Sequence, residues 1–323
     1  MEDPSLQLLT PAPAERLEHW LGEFYGKPVT IKKRELLRHR DLSLVERLTI
    51  ADALPETLIY KLVLPPWDIE QDLHERVLIP SVSNSGQLYL TGHWGNLTAL
   101  FLEDLGNDSL TNYHSSEIAM RVGKELAKQH RSYIYRIDEL LQTNILPAIV
   151  PLDYAEITQT MTEFLQSWNL LDAKQAGAMH GLASLLAGKL AGEAISLVHG
   201  DLYAENLIWR HNRLYIIDWS WFTFIGVPLM DLATLTMDHP KHASFHQYKN
   251  ELLDAYCFEY GRELQDLVEL LPYGETLSRL LFLRWLVERK NRGINGTTQG
   301  PVDNLISKVI LEIEERHRSL SEK

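Results

Sequence analysis

The chain has 323 residues, more than one hydrophobic core usually supports, so its length predicts two domains. Its 44 acidic residues outnumber the 31 basic ones, and the net charge of -13 argues against nucleic acid and anionic membranes as general partners. A single cysteine excludes an intramolecular disulfide bond, and the start of the chain lacks a basic region followed by an apolar run, so we expect a cytoplasmic protein.

The N-terminal third of the sequence is typical of one helix followed by a sheet. Leu17, Trp20 and Leu21 recur at helical spacing, which predicts a helix over residues 13–25. Short runs rich in β-branched and apolar residues follow, and they predict a five-stranded, largely antiparallel sheet. These runs read PVTIKKREL, LSLVERLTI, TLIYKLVL, QLYLT and TALFLED. Between the third and fourth runs, WDIEQDLHERVLI has helical spacing and predicts one helix that interrupts the sheet.

The chain after Gly106 has mainly helical periodicity. We predict helices near residues 112–130, 134–146, 155–168, 171–191, 243–260, 275–292 and 302–318. A short β-like insertion interrupts them around residues 195–218. The pattern therefore predicts an α+β, bilobal protein with a sheet lobe over residues 1–105 and a mainly helical lobe over residues 106–323.

One stretch near the middle of the chain carries the residue types that point to chemistry. It reads HGDLYAEN from His199 to Asn206, and an apolar run that ends at Asp218 follows it. Phosphoryl transfer needs a carboxylate to orient the attacking hydroxyl group and oxygen ligands to hold magnesium on the nucleotide phosphates. Asp201, Asn206 and Asp218 supply these groups at the spacing found in kinase catalytic loops.

The same stretch resembles the aminoglycoside phosphotransferases and their relatives, which include choline, homoserine and sugar kinases. Their catalytic loop reads H-G-D-x-x-x-x-N, and their metal-binding aspartate lies in I-D-[WF], matched here by Ile217, Asp218 and Trp219. The resemblance implies a protein-kinase-like fold in which Asp201 is the catalytic carboxylate and Asn206 and Asp218 bind Mg²⁺. It also implies ATP as the phosphate donor, with GTP as the alternative, and a small-molecule hydroxyl group as the acceptor.

In the first lobe, the resemblance points to a nucleotide site. Lys61 on the third predicted strand resembles the lysine that contacts the nucleotide phosphates, and Glu75 resembles the glutamate that orients this lysine. The segment ALFLEDLG resembles the connection between the lobes, which implies that the carbonyl of Glu103 and the amide of Leu105 bind adenine. A glycine-rich phosphate loop is absent from the sequence, and residues 39–43 contain no glycine.

Several acceptors are compatible with these motifs. An aminoglycoside or another hydroxylated antibiotic is the leading expectation, and choline, an amino alcohol, a sugar or a macrolide are alternatives within the same class of enzyme. A pseudokinase that binds nucleotide without turnover, and a protein kinase, are alternatives of other classes. The presence of all three catalytic residue types disfavours the pseudokinase.

Two other sets of residues have simpler structural explanations. We expect His199 to shape the catalytic loop rather than to act as a base, and Asp231 in GVPLMDLATL to be structural. His239, His242 and His246 are spaced for one face of a helix, as a metal site would require. Because no carboxylate completes such a set, we expect these histidines to be exposed polar residues.

Overall fold

The computed structural model describes residues 9–40, 42–78, 84–112, 115–238, 243–297 and 300–322. The chain forms two compact units. Unit 1 comprises Met1–Asp108 and Ile208–Trp221, and unit 2 comprises Ser109–Leu207 and Phe222–Lys323. The division predicted at residue 105 assigned all later residues to the helical lobe, whereas the structure groups Ile208–Trp221 with the first unit.

Unit 1 contains a five-stranded sheet preceded by a helix. Helix α1 spans Ala14–Tyr25, and strands β1 to β5 span Ile31–Arg40, Ser43–Ile50, Thr57–Val63, Leu88–Trp94 and Leu97–Glu103. The strand order is β1-β2-β3-β5-β4, and every neighbouring pair is antiparallel. The N-terminal helix and antiparallel sheet predicted from the sequence are confirmed.

The two faces of this sheet have different environments. In β2, alternate residues are buried, namely Leu44, Glu46, Leu48 and Ile50. The same face of the sheet carries Tyr60 and Phe101, whose rings lie 5.3 Å apart, and Phe101 meets the ring of Trp20 from α1 edge-on at 6.0 Å. The opposite face carries Val45 and Lys61, which are direct partners across β2 and β3. Because directly paired residues share a face, Lys61 lies on the side away from α1.

The helix predicted between β3 and β4 is present in a shorter form. Helix α2 spans Glu70–Asp72 and continues as a π-helical turn over Leu73–Val77. Glu70, Leu73 and Val77 are the buried residues of this segment, because their i, i+3 and i+7 positions lie on one side of it. This side determines which acidic residue of the segment turns towards the protein interior.

The rest of the chain is mainly helical. Helices α3 to α11 span Ser116–Ile134, Ile137–Thr143, Tyr154–Ser167, Ala173–Leu190, Leu229–Thr236, Ala243–Gln247, Lys249–Tyr260, Leu264–Asn291 and Val302–Ser321. Strands β6 to β12 span Ala148–Ile149, Ser196–Val198, Leu207–Arg210, Arg213–Ile216, Phe224–Gly226, Gly296–Thr297 and Gly300–Pro301. In unit 2, three of these strands form a sheet in the order β6-β10-β7. The predicted α+β class, with an N-terminal antiparallel sheet and a mainly helical C-terminal part, is confirmed.

Several helices of unit 2 differ from the prediction, and the one predicted over residues 243–260 is divided into α8 and α9. Helix α10 begins at Leu264 rather than near residue 275, and Pro272 lies inside it. A proline removes a backbone donor and usually ends a helix, which hides the continuity of α10 in the sequence. Helix α7 was not predicted, because all eight of its residues are buried and it therefore shows no polar face. Of the helices in the described part of the chain, none has the length and hydropathy to cross a membrane.

A hairpin from the second half of the chain completes unit 1. Strands β8 and β9 pair with each other, and the backbone amide of Ile216 donates a hydrogen bond to the carbonyl of Asn84 at 2.8 Å. The backbone then turns at Asp218, whose φ is 64°. This left-handed conformation is rare outside glycine, and aspartate is one of the few other residues that adopt it readily. The hairpin thus delivers the Asp218 carboxylate to the sheet unit.

Candidate functional site

A cluster of charged side chains in unit 1 contains two of the predicted site residues. Lys61 on β3 is 5% exposed, and its Nζ lies 2.6 Å from Oδ1 of Asp218. The same Nζ forms an ion pair with the buried carboxylate of Glu70. The other carboxylate oxygen of Asp218, Oδ2, lies 3.0 Å from Nη1 of Arg38. Each oxygen of Asp218 therefore has its own cation.

These neighbours decide the charge of the Asp218 carboxylate. Burial would raise the pKa of Asp218, but Arg38 and Lys61 outweigh burial and hold the pKa well below its usual range. Burial would lower the pKa of Lys61, but the carboxylates of Asp218 and Glu70 outweigh it and raise that pKa. Lys61 and Asp218 are therefore both charged at neutral pH.

The acidic partner of Lys61 on this segment is Glu70. The prediction that Glu75 orients Lys61 is therefore wrong. Glu75 is exposed, and its carboxylate accepts a hydrogen bond from Nε2 of Gln71 at 3.0 Å. The two acids lie five positions apart on a segment whose buried side is set by Glu70, Leu73 and Val77. Glu75 lies on the solvent side of the segment, so its carboxylate does not reach the buried position that Glu70 occupies beside Lys61.

The charged cluster forms part of the wall of a cavity of about 250 Å³ within unit 1. Most of the wall is apolar and comprises Leu37, Val45, Ile59, Leu102, Leu105, Ile208, Ile216, Ile217 and Trp219. The polar lining includes Arg38, Lys61, Glu70, Asp218 and His74. Burial, together with the charge of Lys61, lowers the pKa of His74 to about 4, so this imidazole is neutral at pH 7. An apolar cavity whose wall also carries Lys61 and Arg38 suits a molecule that joins a flat ring to phosphates.

Glu103 and Leu105, predicted to bind adenine, both line this cavity at the end of β5. The backbone between them is held by charged side chains. Arg47 donates from Nε to Oδ2 of Asp104 at 2.7 Å, and Arg210 donates from Nη1 to the carbonyl oxygen of Asp104 at 2.7 Å. Burial would raise the pKa of Asp104, but hydrogen bonds, chiefly from Arg47, lower it. Arg47 on β2 and Arg210 on β8 therefore both hold Asp104, which lies between the two predicted adenine contacts.

The catalytic loop predicted at HGD lies in unit 2. The backbone amides of His199 and Gly200 donate to Oδ2 and Oδ1 of Asp231, each at 2.9 Å. Asp231 is 1% exposed, and its Oδ2 lies 3.5 Å from Nε2 of the fully buried His130. The amide of Asp201 donates to Nδ1 of His199 at 3.3 Å. Asp231 and His199 thus hold the loop that presents Asp201, in the structural roles expected for them.

Gly200 is the one position of this loop that requires glycine. Its φ is 81°, in the left-handed region, and a Cβ atom there would lie 2.1 Å from the carbonyl oxygen of Phe222. No side chain fits at that distance, because the obstacle is backbone and cannot rotate away. The close approach of these two backbone segments explains the glycine between His199 and Asp201.

Magnesium was expected at Asp218 and Asn206. Proteins hold Mg²⁺ with one or two carboxylates plus the substrate's phosphates, and the ionised Asp218 supplies such a ligand. Asn206 belongs to unit 2, where its Nδ2 donates to the carbonyl of Asp201 at 2.9 Å, so its Oδ1 is the amide atom left for a cation. Within the described residues, no group of three or more His, Cys, Asp or Glu side chains is arranged to hold a metal ion.

The structure therefore divides the predicted site residues between the units. Lys61, Glu103, Leu105 and Asp218 line one cavity of unit 1 and are joined there by three residues that were not predicted, namely Arg38, Glu70 and His74. Asp201 and Asn206 belong to unit 2. Of the three histidines at helical spacing, His239 and His242 lie outside the described residues, and Nδ1 of His246 is 3.0 Å from the carbonyl oxygen of Thr236.

Comparison with known proteins assigns the chain to a family. Residues 88–271, more than half of the chain, match the family model described as APH, phosphotransferase enzyme family. Protein LicA of Haemophilus influenzae is 28% identical over 101 residues, which span 30% of this chain and 36% of LicA. The match thus covers about a third of the length of this relative.

Solved structures match over much more of the chain. Spectinomycin phosphotransferase APH(9)-Ia, in complex with ADP and spectinomycin, aligns with a TM-score of 0.59 at 13% identity, over 97% of this chain and 100% of that one. An ethanolamine kinase of Plasmodium vivax aligns with a TM-score of 0.62 at 12% identity, over 87% of this chain and 82% of that one. These likenesses show a kinase-like fold.

Proposed function

Because the chain belongs to the phosphotransferase enzyme family, we propose that it transfers the γ-phosphate of ATP to a hydroxyl group of a small molecule. The observation that carries this proposal is the pairing of buried Lys61 with ionised Asp218 in the wall of a mainly apolar cavity. That arrangement provides a cation for phosphate groups and a carboxylate for a metal ion, in one place. We place this proposed reaction in the cytoplasm, where ATP is abundant.

Each residue of the cavity has a distinct task in this proposal. Bound ATP would supply the phosphoryl group, and Mg²⁺ held there would neutralise charge on its phosphates. Lys61, oriented by Glu70, binds the phosphates, and Asp218 holds the metal. The carbonyl of Glu103 and the amide of Leu105 bind the adenine edge, while the apolar wall excludes water from the ring.

The catalytic loop has the second set of tasks. Asp201 orients the acceptor hydroxyl and takes its proton as the oxygen attacks the γ-phosphorus, while the bond from phosphorus to the leaving ADP oxygen breaks. Asn206 adds a neutral oxygen ligand for the metal. The hydrogen bonds from the His199 and Gly200 amides to Asp231 keep this loop rigid, which favours catalysis by positioning.

For the acceptor, we propose an amine-bearing compound with a free hydroxyl group, with an aminoglycoside or a related antibiotic as the first candidate. The support is the pair of matched structures, one a spectinomycin phosphotransferase and the other an ethanolamine kinase. Choline and simple amino alcohols are the second candidates, and sugars and macrolides complete the panel to be tested.

The first experiment is an ADP-release screen of the purified chain with ATP or GTP, Mg²⁺ and each candidate acceptor. Two variants then separate the roles of the aspartates. Asp201→Asn should lose turnover and keep the parent's affinity for magnesium-ATP, because Asp201 faces the acceptor. Asp218→Ala should lose both. Asp138→Asn, which removes an exposed carboxylate of unit 2, should change neither and is the matched control.

Calorimetric titration with and without Mg²⁺ provides the affinities. The role of Asp201 is wrong if Asp201→Asn keeps activity within tenfold of the parent, a barrier change of about 1.4 kcal/mol. The metal role of Asp218 is wrong if Asp218→Ala binds magnesium-ATP as tightly as the parent. Magnesium-dependent nucleotide binding without turnover of any acceptor would identify a pseudokinase instead.

A further inference from the structure

The first three strands of unit 1 contain no glycine. None occurs between Gly26 and Gly86, so the β1–β2 hairpin cannot form a glycine-rich loop whose backbone amides surround phosphates. The hairpin instead carries basic side chains in the sequence Arg38-His39-Arg40. Among these, Arg38 lines the cavity described above.

An irregularity in β1 puts Arg38 on the cavity side of the sheet. Leu36 pairs with Glu46 and Arg38 pairs with Val45, so one extra residue, Leu37, is accommodated between them. In a regular ladder, Arg38 would pair with the residue two positions before Glu46, and its side chain would lie on the same buried face as Glu46. The bulge moves Arg38 to the face of Val45, which is itself the direct partner of Lys61. Arg38 and Lys61 therefore stand in one row across three strands.

The ion pair between Arg38 and Asp218 competes with the metal-binding role of Asp218. Both oxygens of Asp218 are bound by cations, Oδ1 by Lys61 and Oδ2 by Arg38. A metal ion needs at least one of these oxygens. Lys61 is also held by Glu70 and is buried, whereas the side chain of Arg38 is 27% exposed and extends from a hairpin. Arg38 is thus the more exposed of the two cations that bind Asp218.

We propose that Arg38 binds the phosphates of the nucleotide in place of a glycine-rich loop, exchanging the carboxylate of Asp218 for phosphate oxygens when the magnesium nucleotide enters. The inference rests on the proposed function, because it assumes that this cavity is the nucleotide site. A guanidinium group suits the exchange, since its forked donors match carboxylate and phosphate oxygens equally well. Neither side chain would be left unpaired, because Asp218 would gain the metal ion and Arg38 would gain the phosphates as its partner.

The test compares Arg38→Ala and Arg38→Lys with Lys33→Ala, which removes one positive charge from the exposed far part of the same strand. Each protein is titrated calorimetrically with magnesium-ATP and, in parallel, with adenosine. We expect Arg38→Ala to bind magnesium-ATP at least tenfold more weakly than the parent, with adenosine affinity unchanged. Arg38→Lys should recover part of the loss, and Lys33→Ala should match the parent. Thermal melting of each variant establishes that it is folded.

The outcomes separate this inference from the proposed function. If the parent binds no magnesium-ATP, both are overturned. If the parent binds it and Arg38→Ala binds it equally well, Arg38 contacts no phosphate and this inference alone is wrong. If Arg38→Ala binds it more tightly, Arg38 acts only as a competitor for Asp218. An equal loss of adenosine affinity would show a general distortion of the cavity, which also overturns a phosphate contact.

Discussion

Substituting alanine for Gly200 would place a methyl group where the catalytic loop has no space for it. The added Cβ would lie 2.1 Å from the carbonyl oxygen of Phe222, well inside van der Waals contact. The φ of 81° adds a second penalty, because non-glycine residues avoid the left-handed region. The obstacle is a backbone carbonyl group, which cannot rotate away as a side chain can. Either the catalytic loop or the segment around Phe222 therefore has to shift.

The size of the effect follows from these two terms. The left-handed conformation costs a residue with a side chain about 1–2 kcal/mol. Displacing a packed segment to make space for an extra methyl group costs about 1–3 kcal/mol more. We therefore expect Gly200→Ala to lower the free energy of unfolding by about 2–5 kcal/mol, and to reduce turnover because the displaced loop carries Asp201.

Gly261→Ala is the matched control for this prediction. Gly261 ends helix α9 with a φ of 85°, and a Cβ built there has no heavy atom within 4 Å. It should therefore show only the conformational cost of about 1–2 kcal/mol. Urea denaturation of the parent and both variants gives the two free-energy changes, provided that the slope of the transition is the same in all three. The difference between the variants measures the steric cost at Gly200.

The steric argument fails if Gly200→Ala and Gly261→Ala lose the same free energy of unfolding. It also fails if Gly200→Ala keeps the parent's turnover. Either result would mean that the loop accommodates a side chain, and that the glycine is not required by the approach of Phe222.

Two further predictions concern the charged cluster in unit 1. Glu70→Ala should lower the free energy of unfolding by about 2 kcal/mol, because it empties a buried site and removes one partner of Lys61. Glu75→Ala should change it by under about 0.5 kcal/mol. Equal urea midpoints for the two variants would contradict the stabilising role of Glu70. Because the pKa of His74 is lowered to about 4, the unfolded chain binds the proton more readily below pH 6.5. Acidification from pH 7 to pH 5 should therefore lower the free energy of unfolding by about 2 kcal/mol through His74. The His74→Gln variant lacks this contribution, so its free energy of unfolding should fall by about 2 kcal/mol less than that of the parent over the same pH range.

The sequence predicted the sheet unit well because its signals are local. The five strands and α1 follow from residue types and spacing that do not depend on distant partners. Helix α10 was predicted to begin too late, because Pro272 interrupts its pattern, although the helix continues through it. Helix α7 gave no periodic signal, because both of its faces are covered. The family resemblance, carried by HGDLYAEN and Asp218, is confirmed.

The site residues were harder to predict where tertiary structure determines which side chains meet. Glu70 and Glu75 are both acids on one short segment, and a π-helical turn changes the spacing that would distinguish them. The position of Arg38 depends on a bulge at Leu37, which appears only when β1 is paired with β2. The spacing of Glu70 from the apolar Leu73 and Val77 was the one available signal for the correct acid. The roles of Asp201 and Asn206 remain predictions, and the Asp201→Asn variant described above tests the first of them.

The discontinuity of unit 1 also affects the order in which the protein can be made. During synthesis, Met1–Asp108 is complete about a hundred residues before Ile208–Trp221, a delay of roughly 5–20 s at ordinary translation rates. Throughout that interval the nascent sheet has no Ile216 to pair with Asn84, and Lys61 has Glu70 but not Asp218 beside it. The apolar wall contributed by the late segment is missing too. A chain terminated after Asp108 therefore contains all five strands of the sheet, but it lacks the part of the cavity wall and the Asp218 carboxylate that the late segment supplies.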